Sequence, residues 1–115
     1  MKTKISSYAF SSIYPMYVKK VEKKGRTKED VNSVVYWLTG YDEKGLKEQI
    51  DSGNDLEVFF ACAPEINPNA NKITGRICGV RVEEIDDPLT QRIRWLDKLV
   101  DELAKGWKLE KILRP

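Results

Sequence analysis

Apolar residues recur along this chain at helical spacing, and polar cap residues mark most of the breaks between the recurring stretches. The longest stretch is Asp86 to Gly106, where Leu89, Ile93, Leu96, Val100 and Leu103 follow at intervals of four, three, four and three. That is the a/d seam of an amphipathic helix, sustained for about two heptads. Asp87 can cap the free N–H groups, Pro88 suits the first helical position, and Gly106 suits a left-handed stop. A helix over 88–105 rises ~1.5 Å per residue and is about 27 Å long. The other segments are shorter and need a surface to pack on; this helix supplies it.

The rest of the chain reads in order. Residues 1–10 are polar and mixed, with Ile5, Tyr8 and Phe10 as anchors of an extended arm or one short edge strand. Ser11 or Ser12 caps a first helix over Ile13 to Lys24, with Pro15 in its first turn; Tyr14, Tyr17, Val18 and Val21 share a face and Gly25 stops it. Thr27-x-x-Asp30 approximates a capping box ahead of Val31, Val34, Val35 and Leu38, and Gly40 ends that second helix. Three valines make it a poor helix by propensity, so packing must hold it. Asp42 caps a third helix carrying Leu46 and Ile50, closed by Gly53. Asn54-x-x-Glu57 caps a fourth, where Leu56, Phe59, Phe60 and Ala63 repeat the pattern up to Pro64.

Residues 64–72, PEINPNANK, form a loop of prolines and asparagines. Ile73 to Ile85 reads two ways. As a strand, Cys78, Val80 and Val82 alternate with Gly79, Arg81 and Glu83; as a helix, Ile73, Ile77 and Val80 form a stripe with Gly75 and Gly79 one turn apart. A strand needs a partner, and the arm at 4–10 is a weak one. The helix is therefore preferred, its glycine face admitting a close neighbour. Trp107, Leu109, Ile112 and Leu113 suggest a last short helix folding back.

These elements imply an all-α fold: a single compact domain over 1–115, with five to seven helices around the long C-terminal one and at most one short arm or strand. The expected core is Val31, Val34, Leu38, Phe59, Phe60, Ile77, Ile93, Leu96, Val100 and Leu103.

Composition narrows the function classes. Twenty basic and eighteen acidic side chains leave a net charge of +2, so no global field points to nucleic acid or a membrane. No apolar run is long enough to span a bilayer, and the N-terminus has no apolar signal core. Histidine is absent, which removes the commonest general base and metal ligand. Cys62 and Cys78 lack any metal-ligand spacing and read as reduced, largely buried thiols in a cytoplasmic protein. No cofactor motif is present; GRICG is not a phosphate loop.

Three constellations remain. Lys19, Lys20, Lys23, Lys24, Arg26 and Lys28 form a basic elbow that could contact phosphates, although Glu29 and Asp30 at the next helix start would repel a nucleic-acid backbone. Arg76, Arg81, Glu83 and Glu84 could line a pocket or do acid–base work, with Asp86 and Asp87 beside them at a helix start that favours acids on its own account. Among the aromatics, Trp37 and Trp95 flank the apolar stripes, and with Leu99 they could widen a surface for a partner.

Several phrases in order, YPMYVKKVEKKGRTKEDV, WLTGY, APEINPN, ITGRICGVRVEEIDDPL, IRWLDKLVDELAKG and EKILR, resemble a small, mostly bacterial family classed as a domain of unknown function and numbered twenty-two hundred. The resemblance runs from about Phe10 to Arg114. It implies one complete domain and carries no activity, cofactor or catalytic residue across. The expected function is a small cytoplasmic interaction module that binds a protein partner or itself. The alternatives are phosphate or nucleic-acid binding at the elbow and a small enzyme built on the Arg76 to Glu84 cluster.

Overall fold

Cap chemistry sets most of the helix boundaries in the computed structural model, which describes residues 5–77 and 79–114. Six helices occupy the described residues: α1 (Phe10–Glu22), α2 (Lys28–Thr39), α3 (Glu43–Ser52), α4 (Leu56–Ala61), α5 (Pro88–Ala104) and α6 (Leu109–Ile112). At α2 the capping box is complete. Thr27 Oγ1 accepts from the Asp30 amide at 3.2 Å, and Asp30 Oδ2 accepts from the Thr27 amide at 3.2 Å. Asp42 accepts from the Gly45 amide at 2.7 Å at the start of α3, and Asp87 from the Thr90 amide at 2.9 Å at the start of α5. At α4 the cap is Asp55, one residue after the expected Asn54; it accepts from the Val58 amide at 2.8 Å.

Helix α1 starts at Phe10, ahead of the expected Ile13, and no serine caps it. Tertiary pairing replaces the side-chain cap. The Phe10 amide donates to Asn54 O at 2.9 Å and the Leu56 amide donates to Tyr8 O at 3.0 Å, so the two helix starts satisfy each other. Phe10 is thereby drawn into the core, where its ring stacks on Phe59 at 4.0 Å between centroids. Met1 to Lys4 of the expected arm lie outside the described residues; Ile5–Ser7 form a 3-10 turn.

The long helix α5 is the hub, as its seam predicts. It packs against α1, α2, α4 and α6 and against the segment 76–84. Ile93, Leu96, Leu99, Val100 and Leu103 are buried in one cluster with Val31, Val34, Leu38, Phe59 and Phe60. Each such aliphatic side chain contributes roughly 1.5–3 kcal/mol of burial. Phe10, Val21, Leu56, Ile73, Val82 and Ile112 join them. Two expectations fail. Ile77 is only partly buried, and Cys62 is an exposed free thiol because it caps the end of short α4. Cys78 lies outside the described residues.

The helix expected over Ile73 to Ile85 is not formed. Strand β1 (Arg76–Ile77) pairs antiparallel with β2 (Val80–Arg81), and a 3-10 turn over Val82–Glu84 follows. The partner missing from the sequence reading is the segment itself, folded back through a two-residue turn. Gly75 and Gly79 sit at φ +108° and +82°, which suits a turn and is incompatible with a right-handed helix. Ile73 and Val82 are fully buried and root the hairpin on α5, while Gly79 and Val80 are exposed. Among the described residues no helix is long and apolar enough to cross a membrane.

Candidate functional site

The hairpin carries the most distinctive charge arrangement in the molecule. In its register Arg76 lies directly opposite Arg81, so both side chains leave the same face, with Cβ atoms about 5 Å apart. Like charges directly opposed destabilise a strand pair. Among the described residues neither guanidinium has a carboxylate within ion-pair distance. Both arginines line an open cleft of about 410 Å³ together with Gly79, Val80, Glu84 and Ile85.

The scaffold beneath is rigidly tied. Lys98 of α5 is nearly buried; its Nζ donates to Arg76 O at 3.4 Å and stands 3.9 Å from Asp101 Oδ2. The Gly75 amide donates to Glu83 Oε2 at 3.1 Å, and Gln91 Nε2 donates to Val82 O at 3.0 Å. Glu83 is therefore turned to the hairpin root and does not line the cleft, unlike the other three residues of the expected cluster. Its own backbone amide first of all, then, against desolvation, the Gly75 amide and the charges of Arg81 and Lys98 hold its carboxyl below the usual range. Gly75 is packed against α5, where a Cβ would meet Lys98 Cε at 3.1 Å, whereas Gly79 borders the cleft.

The basic elbow does not converge. Arg26 is committed to Asp30 at 3.2 Å and to Trp107 O at 2.7 Å, and Lys20 pairs with Asp101 at 3.5 Å. Lys19, Lys23 and Lys24 point to solvent, and Lys28 faces a different cleft. Leu99 is 0% exposed, so it is a core residue and not part of a partner surface. Trp37 and Trp95 are partly buried against the core; the Trp95 Nε1 is buried without a hydrogen-bond partner among the described residues.

A second cleft, of about 350 Å³, was not anticipated from the sequence. It lies between α1, α2 and α3. Lys28, Asn32 and Tyr36 succeed one another at intervals of four along α2, facing Glu43, Lys47 and Ile50 of α3 and Tyr14 of α1. The i, i+4, i+8 spacing was visible in the sequence, but its polar face looks like any solvated helix face until a neighbour is placed beside it. The Tyr14 hydroxyl donates to Asn32 Oδ1. Burial above all, then the Tyr36 phenol, pushes the Tyr14 pKa up; burial, then Glu43 and Asp42, does the same to Tyr36. Both phenols therefore stay neutral at physiological pH. Among the described residues no group of three or more His, Cys, Asp or Glu side chains could hold a metal ion.

Comparison with known proteins places this architecture. The model of a family described as "Uncharacterized protein conserved in bacteria (DUF2200)" matches residues 4–114. A solved structure, "Crystal structure of uncharacterized protein SP1917", is similar with a TM-score of 0.91 and 46% sequence identity, covering 98% of this chain and 93% of that one. No curated protein matches.

Proposed function

This chain belongs to the bacterial DUF2200 family, and we propose that it is a small binding module whose hairpin cleft holds the phosphate or carboxylate group of a small molecule. One observation carries the reading: Arg76 and Arg81 are directly opposed with no carboxylate in ion-pair distance among the described residues. Such a pair is repulsive when empty and becomes favourable when an anion sits between the guanidiniums, each offering planar, charge-assisted donors. The cleft volume of about 410 Å³ falls within the span of small-molecule sites. Val80 and Ile85 offer an apolar edge and Glu84 an acceptor.

Binding is favoured over catalysis. Glu83, the carboxylate of the hairpin segment whose pKa is lowered, is held ionised at the hairpin root, where it braces the turn. Self-association through the long helix would have to rest on Trp95, which is partly buried, because Leu99 is consumed by the core. A cytoplasmic setting belongs to this reading, and the exposed free thiol of Cys62 supports it.

The test is an NMR titration with sodium phosphate and with succinate at constant ionic strength. Amide shifts should concentrate in residues 75–85, and Arg76→Ala/Arg81→Ala should abolish them. In the absence of ligand, Arg81→Thr should raise the stability of the protein, because it relieves the repulsion. Titrations that leave the hairpin amides unmoved, or that are indifferent to the double substitution, would overturn the reading.

A further inference from the structure

We infer that the cleft between α1, α2 and α3 is a second, independent binding site, for a small organic anion with a flat apolar body such as an aromatic carboxylate. The site is lined by three helices, unlike the hairpin cleft. Leu46 and Ile50, one turn apart on α3, supply an apolar wall, and the Tyr36 ring is partly exposed opposite them. A planar apolar body fits between an aromatic face and an aliphatic wall.

The polar groups select an anion. Tyr14 is 7% exposed, and its hydroxyl occupies Asn32 Oδ1. That bond orients the Asn32 amide, whose Nδ2 has no partner among the described residues and so presents donors to the cleft. Lys28 and Lys47 flank the amide from two helices, and neither makes an ion pair among the described residues although Glu43 lies one turn from Lys47. An acceptor-bearing anion meets donors from Asn32 and positive charge on both sides. Glu43 remains to take a hydroxyl or amino substituent on the ring.

The experiment is an NMR titration of the whole chain with benzoate, following the Asn32 side-chain amide resonances. Benzoate should move them, and phosphate alone should not. Two substitutions test the contacts. Lys28→Ala/Lys47→Ala should weaken benzoate binding about tenfold, the usual loss for charge-assisted contacts. Asn32→Asp keeps an acceptor for the Tyr14 hydroxyl while exchanging the amide donor for negative charge, and it should weaken binding by more than that. Arg76→Ala/Arg81→Ala should leave the benzoate titration of the Asn32 resonances unchanged, which separates this site from the hairpin. Unmoved Asn32 resonances would overturn the inference, as would unchanged affinity in the lysine variant. Each variant is first checked for an unaltered melting curve.

Discussion

The C-terminal segment is held by one buried ion pair, and removing half of it should be costly. Glu102 on α5 is 0% exposed, and Arg114 grips it with two parallel bonds, Nη1 to Oε1 and Nη2 to Oε2, both 2.8 Å. Arg114 Nη1 also donates to Ile112 O at 2.7 Å, and its guanidinium lies 5.9 Å from the Trp107 ring centroid. Arg114→Ala strands the Glu102 carboxylate among apolar neighbours with no other partner among the described residues. Breaking a buried pair in this way costs about 3–5 kcal/mol. For a chain of this size that is roughly 10–20 °C in melting temperature. Urea unfolding followed by circular dichroism reads the same loss as a midpoint lower by about 2 M. The reverse deletion is milder. In Glu102→Gln the Arg114 side chain, 14% exposed, can still reach water. The double change Glu102→Met/Arg114→Met fills the space with apolar atoms and should cost much less than Arg114→Ala alone, because neither charge is left unpaired. A loss below about 1 kcal/mol for Arg114→Ala would contradict the buried clamp. A double variant as unstable as the single would show that packing, and not charge, holds the segment.

Two further outcomes follow from the same geometry. Partial burial works against ionisation of Asp101, but the hydrogen bond and charge of Lys105 and the charges of Lys20 and Lys98 win and hold its carboxyl below the ordinary 3.8. Its contribution is therefore present above that value and lost as pH falls through the lower folded pKa. Asp101→Asn should be less stable by about 1 kcal/mol at neutral pH, and the gap should close in acid; a gap that persists to about pH 2 contradicts this. Gly75→Ala forces a Cβ onto Lys98 at φ +108°, whereas Gly79→Ala at φ +82° meets no atom within 4 Å. Gly79→Ala should cost about 1–2 kcal/mol for its backbone alone, and Gly75→Ala should cost more in urea unfolding; equal costs would show that Lys98 yields freely.

The candidate site was legible only in part. Arg76, Arg81, Glu83 and Glu84 were identifiable as a polar cluster beside two glycines, and all of them except Glu83 share the cleft. The opposition of Arg76 and Arg81 does not follow from a helical segment. On a helix, residues five apart do not face each other; across a two-residue turn they do. The second cleft needed α3 to be placed beside α2. The burial of Leu99, which widened the seam on paper, needed α5 to be surrounded on several sides.

By itself the sequence determined the elements whose signals act within one turn of chain. Thr27 with Asp30, Asp42 and Asp87 satisfy amides three residues away, and the apolar seam of α5 repeats over neighbouring turns. Such interactions are complete before any distant segment arrives. Tertiary structure decided the start of α1, where Asn54 stands in for a missing cap, and the hairpin root, where Lys98 reaches the Arg76 carbonyl from 22 residues away. It also decided that Glu102 would be the buried acid. Groups so far apart in the chain meet only once the core has closed, and buried polar atoms must then be paired with whatever the packing brings to them.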